Sequence, residues 1–156
     1  MTTWLNKIEI NAPIEIVWQL FNENNFKRIM PKVVSHELLS YDEQTQTSIF
    51  KETYREGKRD ETYELTEVIS IDTKSEKQKS FSFTIAKLIE SNGVFHLLSL
   101  SSSTTLFTYS GETKGASSFG KLMMKLASNK KEEKIVFDFL QLVKTEAEID
   151  FKTATT

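Results

Sequence analysis

Four polar residues stand on strand faces that are otherwise apolar, and they are the set best able to move protons: Glu67, Lys87, His96 and Tyr109. Period-two alternation groups Glu67 with Leu65, Ile69 and Ile71, Lys87 with Ile85 and Ile89, and His96 with Val94, Leu98 and Leu100. If the polar run Thr73 to Lys77 sets the register that matches these faces, Glu67 lies opposite Ile85 and diagonal to Lys87. His96 then sits across from Ile89 on one side and Tyr109 on the other. Such a cluster has two readings. In one it is a buried ion pair beside a hydrogen-bonded core histidine. In the other, His96 or Glu67 gives or takes a proton while Tyr109 or Lys87 polarises a ligand carbonyl. A second pair, Glu37 and Glu52, falls face to face across neighbouring strands. That pairing is unfavourable unless one carboxyl is protonated, hydrated or ligand-bound, or the register slips. His36, on the strand face shared with Thr53 and Thr62, is expected in solvent. None of these is a catalytic signature, so no catalytic residue is assignable and the four remain weak candidates.

The sequence holds no phosphate-cradling glycine loop, no Gly-x-Ser-x-Gly elbow and no His-x-x-x-His pair. With no cysteine and two histidines, thiolate chemistry and disulfides are excluded and a histidine-rich metal site is not expected. No cofactor is implied. Lys and Arg number 20 against 22 Asp and Glu, a net charge of −2 spread along the chain, which gives no footprint for nucleic acid or an anionic membrane. No run reaches the roughly 18 apolar residues of a membrane span, so no stable membrane insertion is expected. The opening Met-Thr-Thr-Trp-Leu-Asn-Lys lacks the design of a signal peptide, and the expected location is cytoplasmic. Oligomeric state is not legible.

The elements that must position these groups follow from periodicity. The 156 residues suit one domain, 1–156, that buries roughly 70% of its unfolded surface. Trp4, Ile8 and Ile10 alternate with Lys7 and Glu9, a first strand that Asn11-Ala12-Pro13 stops. Pro13 and Glu15 favour a helix start, with Ile14, Val17, Trp18 and Phe21 on its buried face. A second short helix, about Phe26 to Met30, ends before Pro31. From Val33 to Glu112 six strands are expected. Gly57-Lys58 suits a two-residue turn that sets Phe50 opposite Leu65, Glu52 opposite Tyr63 and Tyr54 opposite Glu61, with Lys51–Glu64 and Arg55–Asp60 on the solvated face. Asn92-Gly93, a strong hairpin signal, would set Ile89 opposite His96, Lys87 opposite Leu98 and Ile85 opposite Leu100.

The chain closes on Ser117 to Ala147, whose apolar residues Phe119, Leu122, Met123, Leu126, Val136, Phe137, Leu140, Val143 and Ala147 step by three and four. Between the two groups, Asn129, Lys130 and Glu133 fall on the same face. Burying them unpaired would cost several kcal/mol each, so a bend, a mobile turn or an opening is expected there. A seven-stranded sheet curled round one long helix and closed by two short ones leaves an internal cavity. Helices segregated to one face make the class α+β.

The stretch Ile10-Asn11-Ala12-Pro13-Ile14-Glu15-Ile16-Val17-Trp18-Gln19-Leu20-Phe21 resembles the strand-to-helix passage of the birch-pollen-allergen-like, or START-related, superfamily (START/Bet v 1-like), in particular its polyketide cyclase/dehydrase-like branch. Met30-Pro31 before the second strand, Gly115 before the last helix and that helix itself add to the likeness. The resemblance implies a helix-grip fold with a hydrophobic cavity for lipids, polyketides, hormones or similar molecules. The branch has no universal catalytic motif, so none is carried over. The polar middle of the last helix departs from the pattern.

The leading functional expectation is therefore a small hydrophobic ligand, lipid- or polyketide-like, held between the sheet and the C-terminal helix. Its candidate contacts are Trp18 and Phe21, Glu37 and Leu39, Phe50 and Glu52, Tyr63 and Leu65, Phe83 and Ile85, Leu98, Phe107, and Phe119 with Met123. The alternatives are a cyclase- or dehydratase-type enzyme using inward acid–base groups, and a protein-interaction module with an exposed groove.

Overall fold

The computed structural model describes residues 1–115 and 129–156, with side chains for 1–115 and 133–156. In chain order come β1 (Thr2–Ile10), α1 (Ile14–Gln19), α2 (Phe26–Ile29), β2 (Val33–Asp42), β3 (Thr47–Glu56), β4 (Arg59–Asp72), β5 (Glu76–Ile85), β6 (Ile89–Ser101), β7 (Thr104–Gly115) and α3 (Asn129–Ala154). The seven strands form one antiparallel sheet in the order β1-β7-β6-β5-β4-β3-β2. The helices pack on its inner face, with α3 against β1, β7, α1 and α2. This is the α+β helix-grip architecture expected.

The β3–β4 hairpin has the register that Gly57-Lys58 dictates, with Phe50 opposite Leu65, Glu52 opposite Tyr63 and Arg55 opposite Asp60. Gly57 takes φ +61°, a left-handed conformation that glycine adopts without strain.

Two other registers differ from expectation. Asn92-Gly93 is not a turn but lies inside β6; the chain reverses at Ala86 and Lys87, both at positive φ. Ile85 therefore pairs with Ile89, Phe83 with Ser91 and Phe81 with Gly93. A slip of this parity moves every β6 side chain to the other face. Phe95 and Leu97 point inward and are buried, whereas His96, Leu98 and Leu100 point out and Lys87 is exposed in the turn. The strain of two left-handed non-glycine residues, roughly 1–3 kcal/mol each, is offset by burying Phe95 and Leu97 and leaving Lys87 and His96 hydrated. Gly93 serves a different purpose. A Cβ there would lie 2.6 Å from the Phe81 ring, and one on its partner Gly111 would lie 2.5 Å from the Trp4 ring. The two facing glycines are the floor on which two aromatic rings rest.

The second difference is in β2, where irregularities between Val33 and Ser35 and between Leu38 and Ser40 shift the pairing. Glu37 stands opposite Lys51 on the solvent side, and His36 takes the place opposite Glu52. Leu39, expected inside, is 46% exposed.

The last helix is unbroken from Asn129 to Ala154, beyond the expected end at Ala147. Glu133 is exposed rather than on the packed face, so its charge is not buried. Val136, Leu140, Val143 and Ala147 form the buried stripe as expected, but Phe137 is 57% exposed and Phe139 packs inward instead. The expected first grip, Phe119 to Leu126, lies outside the described residues, as do the side chains of Asn129 and Lys130.

Candidate functional site

Beneath α2 and α3 the inner face of the sheet borders a cavity of about 640 Å³ that is partly open to solvent, within the range of ligand sites. Its walls come from every layer. Phe21, Phe26 and Met30 close one end, His36 and Phe50 line it from β2 and β3, and Tyr63, Leu65 and Glu67 from β4. Lys79, Phe81 and Phe83 contribute from β5, Phe95 and Tyr109 from β6 and β7, Trp4 from β1, and Val136, Phe139 and Leu142 from α3.

The rings form a connected series. Tyr63 stacks on Phe83 at 4.7 Å, Phe83 and Phe81 follow at 6.1 Å, Phe81 meets Phe95 at 5.1 Å, and Phe95 meets Tyr109 at 5.0 Å and Phe139 at 5.7 Å. Such walls favour flat, apolar, ring-bearing molecules.

Two polar stations interrupt them. At the first, Glu52 is buried; its Oε2 accepts a 2.7 Å bond from the Tyr63 hydroxyl and its Oε1 is 2.9 Å from His36 Nδ1. The His36 ring lies between Phe26, at 4.2 Å, and Phe50, stacked at 4.0 Å. Burial, and then the charge and hydrogen bond of Glu52, raise the Tyr63 pKa well above the usual phenol value. A carboxylate taken out of water needs such donors, since an uncompensated buried charge costs several kcal/mol.

At the second station Lys79 Nζ lies 3.3 Å from Glu67 and donates a 2.9 Å bond to the Phe21 carbonyl, with the Trp18 ring 5.7 Å away. Next to it Lys77 is held by Asp72 at 2.6 Å and Glu15 at 3.1 Å. Burial opposes the Lys77 charge, but the bonds to Asp72 and Glu15 prevail and raise its pKa. Tyr63 and Glu67 are four residues apart on one strand face, so the stations are separated by roughly 13 Å along β4.

Arg28 ties the covering helices together. From α2 its guanidinium bonds Glu146 at 2.6 Å and both oxygens of Asp150 at 2.8 and 3.0 Å on α3. These bonds, to Asp150 first and Glu146 second, hold its pKa above even the usual arginine value.

The structure thus regroups the residues singled out in the sequence. Phe21, Phe50, Glu52, Tyr63, Leu65, Phe83, Glu67 and Tyr109 line the cavity. Trp18 and Ile85 pack beside it, and Phe107 is fully buried in the core. Glu37, Leu39, Leu98, Lys87 and His96 are not part of it; His96 bonds Glu76 at 2.7 Å on the outer face. The constellation of Glu67, Lys87, His96 and Tyr109 is therefore not assembled. Phe119 and Met123 lie outside the described residues. His36, expected in solvent, has a side chain only 8% exposed. Lys79 was readable, since it shares a face with Phe81 and Phe83. His36 was not, because the irregular pairing of β2 moves it.

Among the described residues no group of three or more His, Asp or Glu is arranged to hold a metal, and no helix is long and apolar enough to cross a membrane. No family model matches the chain, and no curated protein matches it by sequence. Solved structures do match. The Zhui aromatase/cyclase from Streptomyces sp. R1128 superposes with a TM-score of 0.64 at 15% identity, over 94% of this chain and 93% of that one. A START superfamily protein from Mycobacterium smegmatis gives 0.66 at 10% identity, over 97% and 98%. Norcoclaurine synthase from Thalictrum flavum, solved in complex with dopamine and hydroxybenzaldehyde, gives 0.54 at 13% identity, over 91% and 86%. At these identities the likeness is one of fold alone: the chain shares the helix-grip fold of these structures.

Proposed function

We propose that this protein binds a small hydrophobic, ring-bearing molecule of lipid- or polyketide-like character in its internal cavity. The observation that carries the proposal is the 640 Å³ space walled by a continuous series of aromatic rings. Phe50, Leu65, Phe81, Phe83 and Phe139 supply apolar contact, and His36, Glu52, Tyr63, Glu67 and Lys79 orient a ligand's polar groups. The fold neighbours include an aromatase/cyclase and an enzyme solved with two aromatic molecules bound, which is consistent with a ring-shaped occupant.

A specific observation also favours the second reading, a cyclase- or dehydratase-type enzyme. Titratable groups converge on the cavity at two stations, the arrangement that proton transfer on a bound substrate requires. Native mass spectrometry of freshly purified protein tests both. A bound small molecule, released on unfolding, is expected. Recovery of that molecule unchanged after incubation supports a carrier or sensor, and its conversion supports an enzyme. A protein that purifies empty and takes up no aromatic probe overturns the cavity proposal.

A further inference from the structure

At the first polar station His36 uses one ring nitrogen, Nδ1, and has the other, Nε2, available. Its partner Glu52 already accepts a hydrogen bond from the Tyr63 hydroxyl at one oxygen, and the other oxygen faces His36 Nδ1 at 2.9 Å. With Glu52 as a carboxylate, which cannot donate, Nδ1 carries a proton toward it, and a ring holding that one proton offers Nε2 as a lone-pair acceptor. No described residue bonds Nε2. Nor is Nε2 sealed in protein: among the described residues the Trp4 indole nitrogen is the sole side-chain polar atom that is both enclosed and without a partner. The side chain is only 8% exposed, and the residue lines the cavity. Phe26 and Phe50 hold the ring from both sides, at 4.2 and 4.0 Å, and fix the direction of that lone pair.

We infer that His36 Nε2 is the acceptor for an acidic O–H, phenolic or enolic, on an aromatic ligand. Glu52 acts as the residue that sets its tautomer, and Tyr63 holds Glu52. This deepens the cavity reading above and rests on it. A ring of the ligand lies against the aromatic wall while its hydroxyl is recognised at the β2–β3 end. An ether or a hydrocarbon of the same shape lacks the proton and leaves Nε2 unpaired, so the site discriminates by hydrogen bonding rather than by size.

The test uses β-naphthol and its methyl ether as probes of one ring system, titrated by fluorescence into the full chain. Naphthol is expected to bind about three- to tenfold more tightly, the range of one net hydrogen bond, and His36→Phe, which keeps a flat ring in the sandwich, is expected to abolish that preference. In the wild type, nitrogen NMR reads the same contact without any substitution at the site. Only two histidines contribute, His96→Gln assigns them, and naphthol should move the His36 Nε2 signal toward that of a protonated ring nitrogen while the ether leaves it in place. Equal affinity for the two probes, a preference that survives His36→Phe, or an unmoved Nε2 signal overturns the role of His36 and leaves the cavity reading standing. Failure of both probes to bind overturns both. If His36→Phe does not fold, the wild-type NMR titration decides.

Discussion

The inner face of the sheet divides into two regions of contrasting chemistry. Under α1 and α3, β6, β7 and β1 present Leu97, Phe107 and Ile10 to Val17, Leu20, Leu140 and Val143, all nearly or wholly buried. The buried polar group among them, Thr105, donates a 2.8 Å bond to the Ala12 carbonyl. Beyond α2, β2, β3 and β4 present a smaller cluster of Phe50, Tyr63 and Leu65 with a carboxylate and an imidazole in its midst. The first region is shaped to exclude water. The second holds charge at a distance from water and needs every donor it has. A protein selected for stability alone gains more by filling that space with hydrocarbon; keeping a satisfied polar network beside a cavity is what recognition asks for.

The contrast is broken or sharpened by substitution on each side. The largest effect is expected in the dry region: Phe107→Ala should lower unfolding free energy by about 3–5 kcal/mol, because a fully buried ring leaves a cavity that its neighbours cannot fill. Denaturant titration measures it, and a loss under about 1 kcal/mol would mean that this region is not the core. Tyr63→Phe should cost less, about 1–3 kcal/mol at neutral pH, by removing one donor from buried Glu52.

The same substitution carries a pH signature. The Tyr63 pKa is raised in the folded state, so the neutral phenol is the form that folding favours. Its contribution is complete below the unfolded value of about 10 and is lost as pH rises above it. The gap between wild type and Tyr63→Phe should therefore narrow above pH 10 in denaturant titrations, and a widening gap would refute the assignment. The smallest effect is expected at His96→Gln on the outer face. It should change stability by less than about 1 kcal/mol, the scale of an exposed pair, and leave probe affinity unaltered. A loss of affinity there would return His96 to the cavity.

Legibility along the chain tracked the strength of local signals. The β3–β4 hairpin was readable because Gly57 fixes a two-residue turn and alternation does the rest, which is why Glu52 and Tyr63 were found together. Asn92-Gly93 carried an equally strong signal with a different cause. Gly93 is glycine because the Phe81 ring lies on it, a contact between strands that no local pattern reports. His36 was missed because one irregularity in β2 turns a like-charged Glu37–Glu52 facing into a hydrogen-bonded His36–Glu52 pair.

The sequence by itself determined the order of elements, the antiparallel sheet, the buried stripe of Val136, Leu140, Val143 and Ala147, and the exclusion of cysteine chemistry. Those follow from periodicity, turn residues and composition, which are properties of neighbours along the chain. The tertiary structure decided which polar groups share the cavity, because face and register are set by the total burial of a strand against its partners. A shift of one residue, small in local energy, exchanges every side chain between water and the interior.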